Sequence, residues 1–335
     1  MKKIDLVMFL AVLDFVFSIL SAEAEAAKPG MFNSPYTLSA ASSFGLLYGQ
    51  GEEIVYRSPY ADQELSQLLW DMKPLFYAGS SLDFSRIDPW GGIGLFTNLS
   101  VKFGIPGKTG KMEDRDWQSS YNYVTHYSSH DNYSQGNLFL DFSLGFSLPI
   151  KPRLLFKFYG TLVYMSLSWS GRDGYFQYAK EVENNEYGPW DESIPKVKMF
   201  GSVINYSQKW LIIVPGLSLQ LAFFPGLEAE FSLQAGPPLY CYARDEHIYT
   251  ATIFHDTIPR ESSGIYLEPR GRLIFSPHKK VELSLELSYR LLKGGRGTST
   301  YRTDDKEGFS KTSSFDDAGA AYSVLDTGLS CRIRF

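Results

Sequence analysis

Cysteine is almost missing from this chain: Cys241 and Cys331 are the two in 335 residues. A secreted disulfide scaffold carries many more. Both cysteines fall in segments that read as strands, so they are expected as apolar filler and not as a bridge. An excess of basic charge is missing too. The formal net charge of −5 argues against nucleic acid as the main partner. Beyond the first twenty or so residues, no uncharged apolar run reaches the length of about 20 residues that a membrane-spanning helix needs. No G-x-S-x-G elbow and no phosphate-binding loop is present. His126, His130, His247 and His255 lie in polar segments without compact zinc spacing such as H-E-x-x-H, so no metal site is expected. Internal repeats, a linker and a second domain are likewise not seen.

What the sequence does contain begins with an export signal. Lys2 and Lys3 form a basic start, and Ile4 to Leu20 is mostly apolar, interrupted by Asp14. Ala22-Glu23-Ala24 and Ala24-Glu25-Ala26 offer the small-x-small pattern of a cleavage site. Residues 1–26 are expected as a cleaved signal peptide and 27–335 as a single domain. Export without a transmembrane helix leaves a soluble secreted protein or a membrane barrel.

Period-two alternation decides between these. Val281, Leu283, Leu285, Leu287, Tyr289 and Leu291 are apolar, with Glu282, Ser284, Glu286, Ser288 and Arg290 between them. The same pattern runs through Leu138 to Leu148 and Leu217 to Phe223, and again through Leu227 to Leu233 with Glu228 and Glu230 opposite. A soluble sandwich also alternates, but here the polar face is strongly charged, with Glu228, Glu230, Glu282, Glu286, Arg290, Arg332 and Arg334. Such a face suits a salt-bridged lumen behind a lipid-facing surface, and aromatic content of 16% suits interfacial girdles. Short turns near Ile87–Gly91, Pro149–Pro152, Phe224–Gly226 and Pro277–Lys280 alternate with long polar segments near Gln50–Ser66, Ile105–Gln135, Ser170–Pro195, Ala243–Gly264 and Lys293–Gly319. This predicts an all-β fold: an antiparallel transmembrane outer-membrane β-barrel of about ten strands, extending above the membrane.

Two short constellations carry candidate chemistry. One is Met112-Glu113-Asp114-Arg115-Asp116-Trp117; the other is Asp245-Glu246-His247. Residues two apart on a strand face one way, so Asp114 pairs with Asp116 and Asp245 with His247. If both pairs point inward at the barrel mouth, they face each other across a cleft. Histidine can take a proton from water, Asp245 can orient and charge-stabilise the imidazole, and the two other aspartates can hold the attacking water. A D-x-D in a polar loop is more often simply solvated. For Asp245 and His247 to face inward, the strand must change parity after Leu233, and Gly236-Pro237-Pro238 is the expected place.

At these residues the chain resembles the omptin family. The DRDW-type and Asp-Glu-His segments follow in the family's order, separated by two hairpins. Glu53-Ile54-Val55-Tyr56 resembles its first-loop segment, Met112 sits two before the first aspartate, and His130 resembles a second-loop histidine. The similarity runs from about residue 40 to the end. It implies a ten-stranded barrel and a cell-surface endopeptidase that acts on peptides or proteins near basic residues. Asp245 and His247 would form the dyad and Asp114 and Asp116 the water-holding couple. Glu53, Met112, His130 and Ala243 would line the substrate site. It also implies an outer-membrane location with the site facing outward, contact with outer-membrane lipid, and folding by the barrel-assembly machinery, which reads an ending such as that at Phe335. The chain departs from the family at three places. Ala243 stands where an acidic residue of the basic-side-chain pocket is usual. His126 stands for an aspartate of the second loop. Ser166 and Ser168, after Tyr164, stand where residues that help bind lipopolysaccharide are found, so no cofactor is expected and lipopolysaccharide dependence is not carried over. The alternative reading is a non-proteolytic adhesin or receptor that binds through its loops, where Tyr121, Tyr123, Tyr127 and Tyr133 would suit an interaction surface. A porin is disfavoured, because ten strands with a charged lumen leave little open channel.

Overall fold

A strand in lipid must find every backbone hydrogen bond on a neighbouring strand, because lipid offers none. The computed structural model describes residues 36–57, 63–87, 92–120, 122–184, 186–259, 264–305 and 308–335; the expected signal peptide lies outside these. Strands β1 (Tyr36–Tyr56) and β2 (Glu64–Ile87) are the first two passes. The third is built from β3 (Gly94–Gly104) and β4 (Gly107–Asp116), the fourth from β5 (His126–Ser134) and β6 (Asn137–Lys151). The fifth is β7 (Leu154–Tyr178), followed by short pieces β8 (Glu181–Glu183), β9 (Glu186–Tyr187) and β10 (Val197–Lys198). The sixth is β11 (Ser202–Phe224), the seventh β12 (Leu227–Gly236) with β13 (Pro238–His247), and the eighth β14 (Thr252–Pro259) with β15 (Ile265–His278). Passes nine and ten are β16 (Val281–Asp305) and β17 (Gly308–Arg334). Each pass pairs antiparallel with the next, and β17 pairs with β1 from Ser39↔Arg334 up to Val55↔Ala318. The ring is closed, which gives the expected ten-stranded antiparallel barrel.

The alternation in sequence becomes an inside and an outside. On β11, Leu211, Ile213, Leu217, Leu219, Leu221 and Phe223 are exposed, whereas Trp210, Ile212, Val214 and Ser218 between them are buried. The exposed face is the lipid belt. Tyr48 and Tyr289 flank Leu325 across β17 at its upper edge, both facing out, as an interfacial girdle requires. Cys241 is buried and Cys331 lies exposed on the outer face; both are free. In the lower lumen the charges pair as expected. Lys157 binds Glu230 at 2.8 Å, Arg332 binds Asp83 at 3.1 Å, Lys102 binds Asp326 at 2.6 Å, and Arg290 reaches Glu268 at 3.0 Å. Glu282 accepts from both Arg272 and Arg334. The Lys157–Glu230 and Arg332–Asp83 pairs, Lys102, and Glu282 with its two arginines line a cavity of about 720 Å³.

Above that cavity the lumen changes character. Trp70, Trp169 and Tyr206 stack on one another with centroids 5.5 to 6.1 Å apart, and all three are buried. Gly51 on β1 allows this, since a Cβ there would sit 2.7 Å from the Trp169 ring. Met72, Leu75, Met165, Leu167, Trp210 and Ile212 extend the apolar layer. At this level the barrel is a packed plug.

The long polar segments differ from expectation. Much of each is strand: β1 continues to Tyr56, β4 and β5 lie within 105–135, and β16 runs on to Asp305. The reason is physical. Above the lipid the outer face meets water, so both faces of a strand can be polar and the period-two signal fades. At about 3.3 Å per residue, β1 rises roughly 25 Å beyond the Tyr48 girdle.

The predicted parity change is present, one residue beyond the expected place. Ile212 pairs with Pro238 but Leu211 with Tyr240, which leaves Leu239 as the extra residue of a bulge. Buried positions therefore shift from Gln234 and Pro238 to Cys241, Ala243 and Asp245. Trp169→Ala is expected to destabilise the barrel by about 3–5 kcal/mol through the cavity it leaves in the plug, measured by denaturant unfolding in lipid vesicles. A loss below about 1 kcal/mol would show that the ring is not packed as described.

Candidate active site

On β4, Asp114 and Asp116 keep the inward parity of Asn98, Ser100 and Lys102 on β3. On β13 the Leu239 bulge turns Asp245 and His247 inward. Their neighbours are set by register: Asp116 lies opposite Ser66 of β2 and His126 of β5, and Asp245 opposite Tyr206 of β11 and Phe254 of β14. His247 Nε2 is 2.5 Å from Asp245 Oδ2. Asp245 is buried, while about a third of the His247 side chain remains open to the cleft. Ser66 Oγ donates to Asp114 Oδ1 at 3.3 Å.

Electrostatics tie the two pairs together. Burial alone would lower the His247 pKa, but the Asp245 charge and hydrogen bond, followed by the charges of Asp114 and Asp116, outweigh it and push it up to about 9. Burial lifts Asp116 to about 6 against the opposing pulls of Ser66 and His247. Asp114 is held well above the ordinary carboxylate range, by burial first and then by the charge of Asp116. An imidazole thus faces two crowded carboxylates that resist ionising together, and these groups titrate as one system. This arrangement can hold a water between base and carboxylates and move its proton.

The other predicted residues divide. Glu53 is brought in: it is buried on β1, and the charges of Asp245, Asp256 and Asp114 all act on it. Ala243 is buried on the same face as Asp245, opposite Gln208 and Asp256. Met112 is buried in the apolar plug, paired with Trp70 and His130. His130 is not turned to the carboxylates. It is buried, its Nδ1 meets the carbonyl of Asp173, and its Nε2 is 3.0 Å from Ser128 Oγ. Gly174, at φ +100, makes the bend that presents that carbonyl, and a Cβ there would sit 2.1 Å from the Ser129 oxygen. His126 is half-buried between Tyr178 at 4.3 Å and Tyr187 at 4.7 Å. Ser166 and Ser168 alternate with buried Met165, Leu167 and Trp169 and so lie toward the outer face of β7, Ser166 opposite Lys209. Sequence reasoning missed Asp256, Ser66, Gln208 and Tyr178. Gln208 crosses the lumen beneath the cleft, donating to the Glu52 carbonyl at 2.7 Å and to the Tyr206 hydroxyl at 3.0 Å. A polar residue at the inward parity of an apolar strand was its one available signal.

Residues 34–335 match the omptin family. The chain belongs to that family. Among curated proteins no sequence matches. Among solved structures, this omptin overlays the outer membrane protease OmpT from Escherichia coli with a TM-score of 0.76 at 17% identity, covering 89% of this chain and 97% of that one. A major outer membrane protein from Thermus thermophilus is matched at a TM-score of 0.34 and 11% identity, over 90% of this chain and 99% of that one. The toluene transporter TodX of P. putida is matched at 0.30 and 11%, over 89% and 90%.

The ionisation of His247 has a testable source. Since its folded pKa is raised, the pairing with Asp245 stabilises the barrel fully below about 6.5, and that stabilisation is lost as pH rises towards 9. Asp245→Asn is expected to lower the His247 pKa by about one to three units, read from the histidine ring signals in an NMR titration. An unmoved pKa would show that Asp245 is not what charges the imidazole.

Proposed function

We propose that this omptin is an outer-membrane endopeptidase whose cleft faces the cell exterior and which hydrolyses peptide bonds in peptides or proteins with water as the nucleophile. The observation that carries the reading is the His247–Asp245 contact at 2.5 Å on an imidazole that also feels the charges of Asp114 and Asp116. The solved neighbour from Escherichia coli, by its title an outer membrane protease, supports it.

In this reading Asp245 holds the Nε2 side of the ring, which leaves Nδ1 for the water. Asp114 and Asp116 hold that water from the opposite wall. His247 in its neutral form takes a proton from the water as the oxygen attacks the carbonyl carbon. The imidazolium, stabilised by Asp245, then returns a proton to the departing amine, so the proton balance closes without a covalent enzyme intermediate. The plug of Trp70, Trp169 and Tyr206 forms the floor and keeps the lower lumen water away from the cleft. The buried Glu53 carboxylate and the surplus of carboxylates around it favour substrates with basic residues near the cut bond.

The test is cleavage of a peptide library by the detergent-folded barrel, beside His247→Ala and Asp114→Ala. Each variant is expected to lower kcat by on the order of 10²- to 10⁴-fold while the β-sheet circular dichroism is kept. A well-folded barrel that cleaves nothing, with and without added lipid, would sink the reading and favour a surface adhesin or receptor.

A further inference from the structure

The proposed hydrolysis leaves one charge without a partner. As water adds to the peptide carbonyl, the carbonyl oxygen becomes an oxyanion, and it does so beside Asp114 and Asp116, which repel it. A preorganised neutral donor aimed at that oxygen is the usual remedy and is often the largest single contribution to the rate. The two aspartates and His247 are already engaged by the water, so the donor must come from the wall around them.

Cross-strand register defines that wall. Asp116 of β4 lies opposite His126 of β5, and His126 lies opposite Tyr178 of β7. In the adjoining row Asp114 lies opposite Ser128, and Ser128 opposite Phe176. Directly opposed residues share a face of the sheet, so Phe176 and Tyr178 look into the cleft as the two aspartates do. Among the described residues of β2, β4, β5 and β7, the hydroxyls that point inward above the plug are those of Ser66, Ser128 and Tyr178. Ser66 donates to Asp114. Ser128 lies 3.0 Å from His130 Nε2. The Tyr178 hydroxyl has no hydrogen-bond partner among the described residues, and the residue is 47% exposed, open to the cleft.

The ring of Tyr178 is nevertheless held. His126 meets it edge-on at 4.3 Å, and Phe176 lies 4.5 Å away on the same face. Two strand spacings, about 10 Å, separate its backbone from that of Asp116, and a side chain as long as tyrosine's reaches across most of that gap. Partial burial, followed by the charges of Asp114 and Asp116, pushes the phenol up to about 12, so it keeps its proton at neutral pH and is available as a donor.

We propose that Tyr178 is a further catalytic residue, whose hydroxyl donates a hydrogen bond to the peptide carbonyl oxygen and steadies the oxyanion as the C=O double bond becomes a C–O single bond. The phenol keeps its own proton throughout, and the proton taken up by His247 still goes to the departing amine. The assignment rests on the endopeptidase reading and supplies the one group that reading lacks.

The experiment uses the full-length barrel folded in detergent and the peptide that the unaltered protein cleaves best. Tyr178→Phe keeps the ring contacts with His126 and Phe176 and removes only the hydroxyl, so the β-sheet circular dichroism should be kept. Its kcat is expected to fall on the order of 10²- to 10³-fold, with KM little changed and by the same factor at every pH. A loss of kcat below about ten-fold overturns the proposal. So does a loss that falls on KM, which would make Tyr178 a substrate contact. A profile displaced along the pH axis overturns it too, since Tyr178 would then act through Asp114 and Asp116. A phosphinic peptide of the same sequence, whose tetrahedral centre carries the charged oxygen, should bind the unaltered barrel more tightly than the Phe variant, read by fluorescence anisotropy of the labelled peptide. Equal binding overturns the proposal. If the unaltered barrel cleaves no peptide, the endopeptidase reading falls and Tyr178 is judged by the phosphinic peptide alone. Weaker binding by the Phe variant then upholds the oxyanion contact, and equal binding overturns it.

Discussion

Every feature of this chain follows from the inability of lipid to satisfy a backbone N–H or C=O. That one constraint forces the first strand onto the last, from Ser39↔Arg334 to Val55↔Ala318. Closure fixes the register all round, and register fixes which side chains meet in the lumen. Because the ring continues above the girdle, the same hydrogen-bond ladder that solves the problem of lipid also holds the cleft walls rigid in water. The candidate site stands on strands and not on loops, which suits a chemistry that depends on positions held within a fraction of an ångström.

The lumen is divided by polarity. Below, acidic and basic side chains pair closely around a cavity of about 720 Å³. In the middle, stacked aromatics fill the cross-section. Above, carboxylates crowd around one imidazole, and the charges that bear on Glu53 are all negative. The closed ring and its apolar plug hold these like charges together at the mouth of the barrel. Strain of this kind is expected at a working site and is out of place in a purely structural one.

How much of this was legible in the sequence follows the same division. The lipid-facing stretches, such as Val281 to Leu291, alternate cleanly because one face meets hydrocarbon and the other a polar lumen, so the fold, the turns and the charged lumen could be read directly. The strand extensions could not, since above Tyr48 water replaces lipid and the pattern dissolves; segments such as Lys293–Gly319 therefore read as loops. The pairs Asp114–Asp116 and Asp245–His247 were visible as residues two apart, and even the parity change before Cys241 was required by the pattern. What stayed hidden were residues that gain their meaning across strands. Gln208 reaches the backbone of β1 from β11, and Asp256 meets Glu53 from a strand far along the chain. His130 shows the reverse case: a histidine near the motif that the fold uses to fasten a bend at Gly174.

Asp256 also shows what a sheet permits that a linear motif cannot record. A carboxylate can be supplied at one point in space from either of two paired strands, provided the partner position is small. Ala243 and Asp256 are directly opposed, and a methyl group at 243 leaves the space that a second acidic side chain on β13 would otherwise occupy. The charge of Asp256, carried on β14, bears on Glu53 of β1. Electrostatic potential depends on where charges lie and not on which strand carries them.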